Sequence, residues 1–148
     1  MNILVAIDLS AASSKVIAAA RRVAEMSGAQ LYVLHVAEPE ADFIGYEAGP
    51  EVLRRQEAQD YQREHAEVKQ HVASLTAAGI KAQAMLVEGP MAKTVLSEAE
   101  RLGAEWIVVG SHGHGAVYDM LVGSHSASLM RKSPVPVLVV PTRVCVPG

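Results

Sequence analysis

The sequence predicts an α/β protein folded as a three-layer sandwich, with helices on both faces of a five-stranded parallel sheet. Two observations indicate this class. Short apolar runs alternate with longer amphipathic segments along all 148 residues, and this alternation is typical of parallel strands joined by right-handed helical crossovers. Half of the residues are apolar and a fifth are charged, as in a packed globular chain. The length suits one domain, residues 1–148.

The first strand is predicted over residues 2–8 (NILVAID), an apolar run that ends at a carboxylate. Such runs are typical of strands buried on both faces. A helix follows over residues 10–27, capped by Ser10 and ended by Gly28. Its predicted inward face consists of Val16, Ala20, Val23 and Ala24. Residues 30–36 (QLYVLHV) form the predicted second strand.

A loop is predicted over residues 37–50, which contain two prolines, two glycines and several acids. Its length is unusual for an α/β connection and makes it a candidate lid or contact surface. The helix predicted next spans residues 51–78 and ends at Gly79. Its predicted buried stripe consists of Tyr61, His65, Val68, Val72 and Leu75.

The remaining elements continue the alternation. The pattern predicts strands over residues 81–88, 105–110 and 135–140, a helix from Gly89-Pro90 to Leu102 with Val95, Ala99 and Leu102 inward, and a short helix over residues 123–132. Parallel sheets bind ligands outside the carboxyl ends of their strands, where the strand order reverses. The residues after strands one, two and four are therefore the candidates for a binding site.

A glycine-rich segment follows strand four, with the spacing G-x2-G-x9-G-S from Gly110 through Gly113 to Gly123-Ser124. Glycine lets backbone N–H groups approach an anion closely, and the start of the next helix favours negative charge. The spacing therefore predicts either a phosphate site or a turn that only connects the two elements. It matches neither a Walker A motif nor a G-x-G-x-x-G fingerprint.

Four motifs together give a more specific indication: the opening V-A-I-D-x-S, the L-H-V of strand two, the glycine spacing and the closing S-P-V-P-V-L-V-V-P. In combination they resemble the universal stress protein family over nearly the whole chain. The resemblance implies a Rossmann-like sheet with strand order 3-2-1-4-5, of the adenine nucleotide alpha hydrolase-like kind. It also implies a regulatory stress-response protein that binds ATP, AMP or ADP, with Mg²⁺ as a candidate companion ion.

The same resemblance implies roles for individual residues. Asp8 would contact the adenine or ribose, while Ile7, Leu9 and Ser10 line that corner and Val36 offers backbone groups to adenine. Gly110, His112 and Gly113 would surround the ribose and phosphates, and Gly123, Ser124 and His125 would hold the phosphates. From the residues alone, Asp8 has a second interpretation as the N-cap of the following helix.

Other sites are less well supported by the residues. His112, His114 and His125, with Asp119 nearby, have a spacing that permits a metal site. Catalytic chemistry lacks an evident general base or a G-x-S-x-G elbow, so at most a weak ATPase is expected. A phosphoacceptor receiver domain or a flavodoxin-like module would need residues that strands one, three and five do not provide. An interaction module with an empty pocket stays an alternative.

Partners and location follow from composition and from the last strand. The net charge of −3 gives no basic surface for nucleic acid, and the first apolar run is too short for a membrane span or a signal peptide. Cys145 is the one cysteine, which excludes an internal disulfide and favours the cytoplasm. In the implied strand order, the fifth strand is an apolar edge, and a homodimer through Val137, Leu138, Val139 and Val140 is expected. The alternative is a monomer whose tail, residues 141–148, covers that edge.

Overall fold

A computed structural model describes residues 1–37, 50–111 and 124–142, although the side chains of residues 50–57, 124 and 125 are not described. Strands and helices alternate through these residues, as the sequence predicts. In chain order they are β1 (Asn2–Ile7), α1 (Ser13–Ser27), β2 (Gln30–Ala37), α2 (Pro50–Ala77), β3 (Ala82–Glu88), α3 (Met91–Leu102), β4 (Trp106–Gly110), α4 (Ser124–Lys132) and β5 (Val137–Val140).

The five strands form one parallel sheet in the order β3-β2-β1-β4-β5. This order confirms the predicted fold class. The chain moves outward from β1 to β2 and β3 on one side, and then crosses to β4 and β5 on the other. The strand order therefore reverses between β1 and β4, where a parallel sheet of this kind leaves a crevice at its carboxyl edge.

Side chains of β1 alternate between two hydrophobic cores, one on each face of the sheet. Ile3, Val5 and Ile7 pack with residues of α1 and α2, whereas Leu4 and Ala6 pack with residues of α3 and α4. All five side chains are buried. The unbroken apolar run of β1 is thus explained by a strand with helices on both of its faces.

In the long helix α2, fewer residues are buried than its sequence predicts. Val68 and Leu75 are buried in the core under α1 and α2, and Val72 packs against them. Tyr61, expected in the same stripe, is 39% exposed. Its hydroxyl donates to the Leu86 carbonyl of β3 at 3.4 Å, and a phenol that keeps a polar partner commonly lies at the rim of a core.

Strand β5 begins two residues later than predicted, at Val137 rather than Val135. The Ser133 hydroxyl accepts from the Val135 N–H at 3.2 Å and donates to the Val135 carbonyl at 2.7 Å. These local bonds use both backbone groups of Val135. Pro136 has no N–H to offer, so the regular strand starts after it.

The predicted lid over residues 37–50 lies outside the described residues except at its ends, since β2 includes Ala37 and α2 begins at Pro50. In the described part of the chain, no helix is both long and apolar enough to cross a bilayer.

Candidate functional site

The crevice between β1 and β4 brings together two of the segments that the sequence singles out. Val5 pairs with Val108 in the β1–β4 register, and the same register continued along the strands sets Ile7 beside Gly110. Asp8 is the residue after β1, and Ser111 is the residue after β4. The residues after strands one and four therefore meet at the carboxyl edge of the sheet, as the sequence predicts.

The chain after β1 forms a tight turn over residues 8–13, here called the Asp8 turn. The Asp8 carboxylate accepts from the Ser10 N–H at 3.0 Å and from the Ser13 hydroxyl at 3.4 Å. The Ser10 hydroxyl accepts from the Ala12 N–H at 3.2 Å, and the Ser10 carbonyl accepts from the Ser13 N–H at 3.0 Å. These bonds fix the carboxylate beside the crevice.

Leu9, in this turn, has a φ of 60°. This left-handed conformation is uncommon for a bulky residue other than glycine, and it costs roughly 1–3 kcal/mol. Leu9 also packs against the core under α1 and α2. Strained backbone of this kind persists only where several contacts hold it, and it often marks a functional site.

The prediction that Ser10 caps α1 is wrong. The helix begins at Ser13, and its N-cap is Ala12, which has no side-chain cap hydrogen bond. The Ser10 hydroxyl does not cap the helix because it accepts from the Ala12 N–H, which lies before the first helical residue. Asp8 is not the N-cap either, although it accepts from the hydroxyl of the first helical residue. The alternative interpretation of Asp8 as the cap of α1 is therefore incorrect.

The start of α4 is held against the end of β4 by one short hydrogen bond. The hydroxyl of Ser126, the third residue of α4, donates to the Gly110 carbonyl at 2.6 Å. Ser126 is buried. This bond brings the N-terminus of α4, which begins at Ser124, to the same edge of the sheet as the Asp8 turn.

The chain after β4 is also joined to the chain after β5. The Ser111 N–H donates to the Val140 carbonyl at 2.8 Å, and the Ser111 hydroxyl accepts from the Thr142 N–H at 3.1 Å. The two hydroxyls lie 3.3 Å apart, and both residues are buried. These bonds fix the position of Ser111, the first residue after β4, relative to the end of β5.

The remaining described candidates, Ile7 and Val36, belong to β1 and β2. Both side chains are buried, Ile7 in the core under α1 and α2 and Val36 in the core under α3 and α4. The Ile7 carbonyl lies 3.0 Å from Nδ1 of His35, in β2. Any contact of these two residues with a ligand would therefore be made by their main chains.

Several predicted site residues fall outside the described part of the chain. His112, Gly113 and Gly123 are among them, as are His114 and Asp119 of the candidate metal site. Ser124 and His125 open α4, but their side chains are not described. Within the described residues, no group of three or more His, Cys, Asp or Glu side chains could hold a metal ion.

Sequence reasoning missed the polar residues that build this edge. They are His35, Ser111, Ser126 and Thr142. One signal was available for His35, because Leu31, Val33 and His35 alternate along β2 and the face of Leu31 and Val33 lies in the core. A polar side chain at such a position needs a partner. For the three hydroxyl residues the sequence carries no comparable signal.

Comparison with known proteins identifies relatives of the whole chain. Residues 1–141 match the model of the universal stress protein family. A Thermus aquaticus protein described as a universal stress protein is 34% identical over 140 residues, which cover 94% of this chain and 97% of the relative. A solved structure from Burkholderia pseudomallei, of the same family, has a TM-score of 0.72 and 26% identity, and the match covers 95% of each chain.

Two further structures of this fold were solved with adenine nucleotides. A universal stress protein in complex with cAMP has a TM-score of 0.72 and 22% identity, and the match covers 97% of this chain and 98% of the other. One from Archaeoglobus fulgidus in complex with dAMP has a TM-score of 0.63 and 20% identity, with coverages of 95% and 97%.

Proposed function

Because the chain belongs to the universal stress protein family, we propose that it is a regulatory protein that binds an adenine nucleotide between the Asp8 turn and the start of α4. One observation carries the proposal: the Ser126–Gly110 hydrogen bond holds a helix N-terminus against the carboxyl edge of β4, next to the reversal of strand order. Free N–H groups at such an N-terminus favour a phosphate.

The charges on the two sides of the crevice favour one orientation of the ligand. The Asp8 carboxylate would repel phosphate but can accept from ribose hydroxyls or the adenine amine. The start of α4 has the opposite preference. We therefore expect adenine and ribose on the β1 and β2 side and phosphates on the α4 side. The residues proposed for contact are Ile7, Asp8, Leu9, Ser10, Val36, Gly110, His112, Gly113, Gly123, Ser124 and His125.

The two relatives with ligands bind cAMP and dAMP, which share an adenine, a sugar and one phosphate. We propose ATP as the ligand of this chain, because the glycine spacing from Gly110 to Gly123 resembles the ATP-binding signature of the family. Mg²⁺ would bind through the phosphates and water, as it commonly does with nucleotides, rather than in a cage of protein side chains.

Nucleotide released from purified protein is the first test. The purified chain is denatured, and the supernatant is analysed by absorbance and chromatography for adenine nucleotides. Titration of nucleotide-free protein with ATP, with and without Mg²⁺, then gives the affinity. We expect the denatured protein to release adenine nucleotide, or the nucleotide-free protein to bind added ATP. Protein that carries none and binds neither ATP nor AMP would favour the interaction module with an empty pocket.

Substitution in the glycine segment tests where the nucleotide binds. Gly113→Val and Gly123→Val should each lower ATP affinity at least tenfold, because a β-branched side chain would occupy the space proposed for the phosphate. Gly79→Val is the matched control. Gly79 ends α2 with a φ of 84°, so the control should lower stability without changing affinity. Unchanged affinity in both site variants would refute the assignment.

We further propose that the protein acts in the cytoplasm as a homodimer formed through β5. The strand is the last in the sheet order, and Val137, Leu138 and Val139 are only partly buried. An apolar edge strand of this kind is prone to pair with another strand. Cys145 is the one cysteine of the chain, which suits a reducing compartment.

A further inference from the structure

His35 makes a contact that joins two strands and a helix near the proposed site. Its ring is on the α2 side of β2, where Nδ1 lies 3.0 Å from the Ile7 carbonyl and Nε2 lies 3.7 Å from a Glu64 carboxylate oxygen. Only 12% of the His35 side chain is exposed. Glu64 belongs to α2, so the ring connects α2 to the last residue of β1.

The two contacts fix the orientation of the ring. A carbonyl oxygen can only accept, so Nδ1 must carry the proton and donate to Ile7. Nε2 then faces Glu64, and the two form an ion pair when the ring carries both protons. A histidine whose second nitrogen has a carboxylate partner keeps its ring orientation defined.

The carbonyl that His35 holds immediately precedes the Asp8 turn. On the far side of Leu9, the turn is held by the bond from the Ser10 N–H to the Asp8 carboxylate, at 3.0 Å. Leu9 itself has a φ of 60°, and a bulky residue keeps this conformation only where its surroundings hold it. On the N-terminal side of the turn, His35 contacts the Ile7 carbonyl.

We infer that His35 is a positioning residue, which holds the end of β1 so that Asp8 points into the crevice, with Glu64 orienting the ring from α2. The inference rests on the proposed function for its effect on the nucleotide. The bond to Ile7 acts on the turn whether or not a ligand is present. Its consequence for the turn can therefore be measured without nucleotide.

Two substitutions separate the role of the donor from that of the ring. His35→Leu keeps an apolar side chain of similar size and removes the donor to Ile7. His35→Asn places an amide N–H close to the position of Nδ1 and restores a donor. Glu64→Ala keeps the ring and removes the partner of Nε2, whereas Gln could still donate to that nitrogen. All three are made in the full chain, with circular dichroism and thermal melting as controls for folding.

Amide hydrogen exchange of Ser10 is the first measurement, made without nucleotide by NMR. The Gly28 amide is the internal control, since it donates to the Ala24 carbonyl at the other end of α1 at 2.8 Å. We expect His35→Leu to speed Ser10 exchange about three- to tenfold relative to Gly28, as the loss of one hydrogen bond would. His35→Asn should return to within about twofold of wild type, and Glu64→Ala should lie between the two.

ATP affinity, measured by calorimetry, is the second measurement. His35→Leu should weaken binding about three- to tenfold, and His35→Asn should recover most of the loss. Unchanged Ser10 exchange in both His35→Leu and Glu64→Ala, or no recovery in His35→Asn, would overturn the inference. If His35→Leu does not fold, His35→Asn and Glu64→Ala decide in the same way, since only the second should speed exchange.

The two proposals fail in different ways. A wild-type protein that binds no adenine nucleotide refutes the proposed function, while Ser10 exchange still reports whether His35 holds the turn. A wild-type protein that binds ATP, together with a His35→Leu variant of equal affinity, refutes the positioning role and leaves nucleotide binding intact.

Discussion

At Gly89, directly after β3, the backbone and its surroundings both disfavour a side chain. Gly89 has a φ of 148°, and a Cβ there would lie 2.5 Å from Oγ1 of Thr94. Thr94 is buried near the start of α3, so it has little room to move away. The Gly89 N–H donates to the Ala37 carbonyl at 3.1 Å, which ties this turn to the end of β2.

We therefore expect Gly89→Ala to lower the free energy of unfolding by about 2–6 kcal/mol, since backbone strain and a steric clash each cost roughly 1–3 kcal/mol. Urea denaturation gives the value. Gly28→Ala is the control: its φ is 71°, but no atom lies within 4 Å of the added Cβ, so only about 1–2 kcal/mol should be lost.

Thr94→Ala in the Gly89→Ala background should recover part of the loss, because it removes the hydroxyl that the new methyl group meets. Equal losses for the Gly28 and Gly89 variants would mean that Thr94 rotates away without cost. The clash would then contribute nothing to the role of this glycine.

Between elements, the short bond from Ser126 to Gly110 joins α4 to β4. Ser126→Ala leaves the Gly110 carbonyl without this donor in a partly buried setting, so we expect a loss of about 1–3 kcal/mol in the free energy of unfolding. Ser128→Ala, the same change at a half-buried position of the same helix, is the control. It should be neutral or slightly stabilising, because alanine is the better helix former.

The two serine variants should also differ in ATP affinity. Ser126→Ala frees the start of α4 from the strand and should weaken binding, whereas Ser128→Ala should not. If both variants bind ATP as wild type does, the bond stabilises the fold without contributing to the site.

At the same scale, the sequence predicts the elements well and their ends less well. An apolar run identifies β1 most clearly, because a strand buried on both faces needs such a run along its length. The edge strand β3 is partly polar and none of its residues is fully buried. The ends depend on local polar bonds instead. The Ser10 hydroxyl accepts from the Ala12 N–H rather than from an N–H of α1, and Ser133 bonds to Val135 and delays β5. In each case the serine bonds to a nearby backbone group, and hydrophobic periodicity does not predict such a bond.

The candidate site, too, could be predicted from the sequence only in part. Asp8 and Gly110 could be predicted at the edge of the sheet, because each follows an apolar run that ends abruptly. The bonds that shape the site join distant residues: His35 to Ile7, Ser126 to Gly110, and Thr142 to Ser111. Each pair meets only after the strands have taken their order. One sequence without the fold therefore contains no signal for these pairs.

For the whole molecule, the order of the strands determines where a ligand can bind. The strand order reverses between β1 and β4. At this point α1 and α2 cover one face of the sheet, and α3 and α4 cover the other. The helices after β1 and β4 therefore diverge and leave the carboxyl edge open between them. The same order leaves β5 as an edge, and this edge can be tested without disturbing the crevice.

Two hydrogen bonds between β4 and β5 indicate which backbone groups of β5 face outward. The Ile107 N–H donates to the Pro136 carbonyl at 3.0 Å, and the Ser111 N–H donates to the Val140 carbonyl at 2.8 Å. Backbone groups of successive strand residues point to alternate sides, so Leu138 also faces β4. Val137 and Val139 then point their N–H and C=O groups toward the open edge.

Val139→Pro should therefore weaken the proposed homodimer while preserving the fold. It removes an N–H that faces outward, and proline is tolerated in an edge strand at such a position. We expect the dimer dissociation constant to rise at least tenfold, measured by analytical ultracentrifugation and by light scattering after size exclusion. Leu138→Pro is the contrasting variant, since it removes an N–H that faces β4 and should lower monomer stability by about 1–3 kcal/mol. A wild-type monomer at micromolar concentration, or an unchanged dimer in Val139→Pro, would rule out association through this strand.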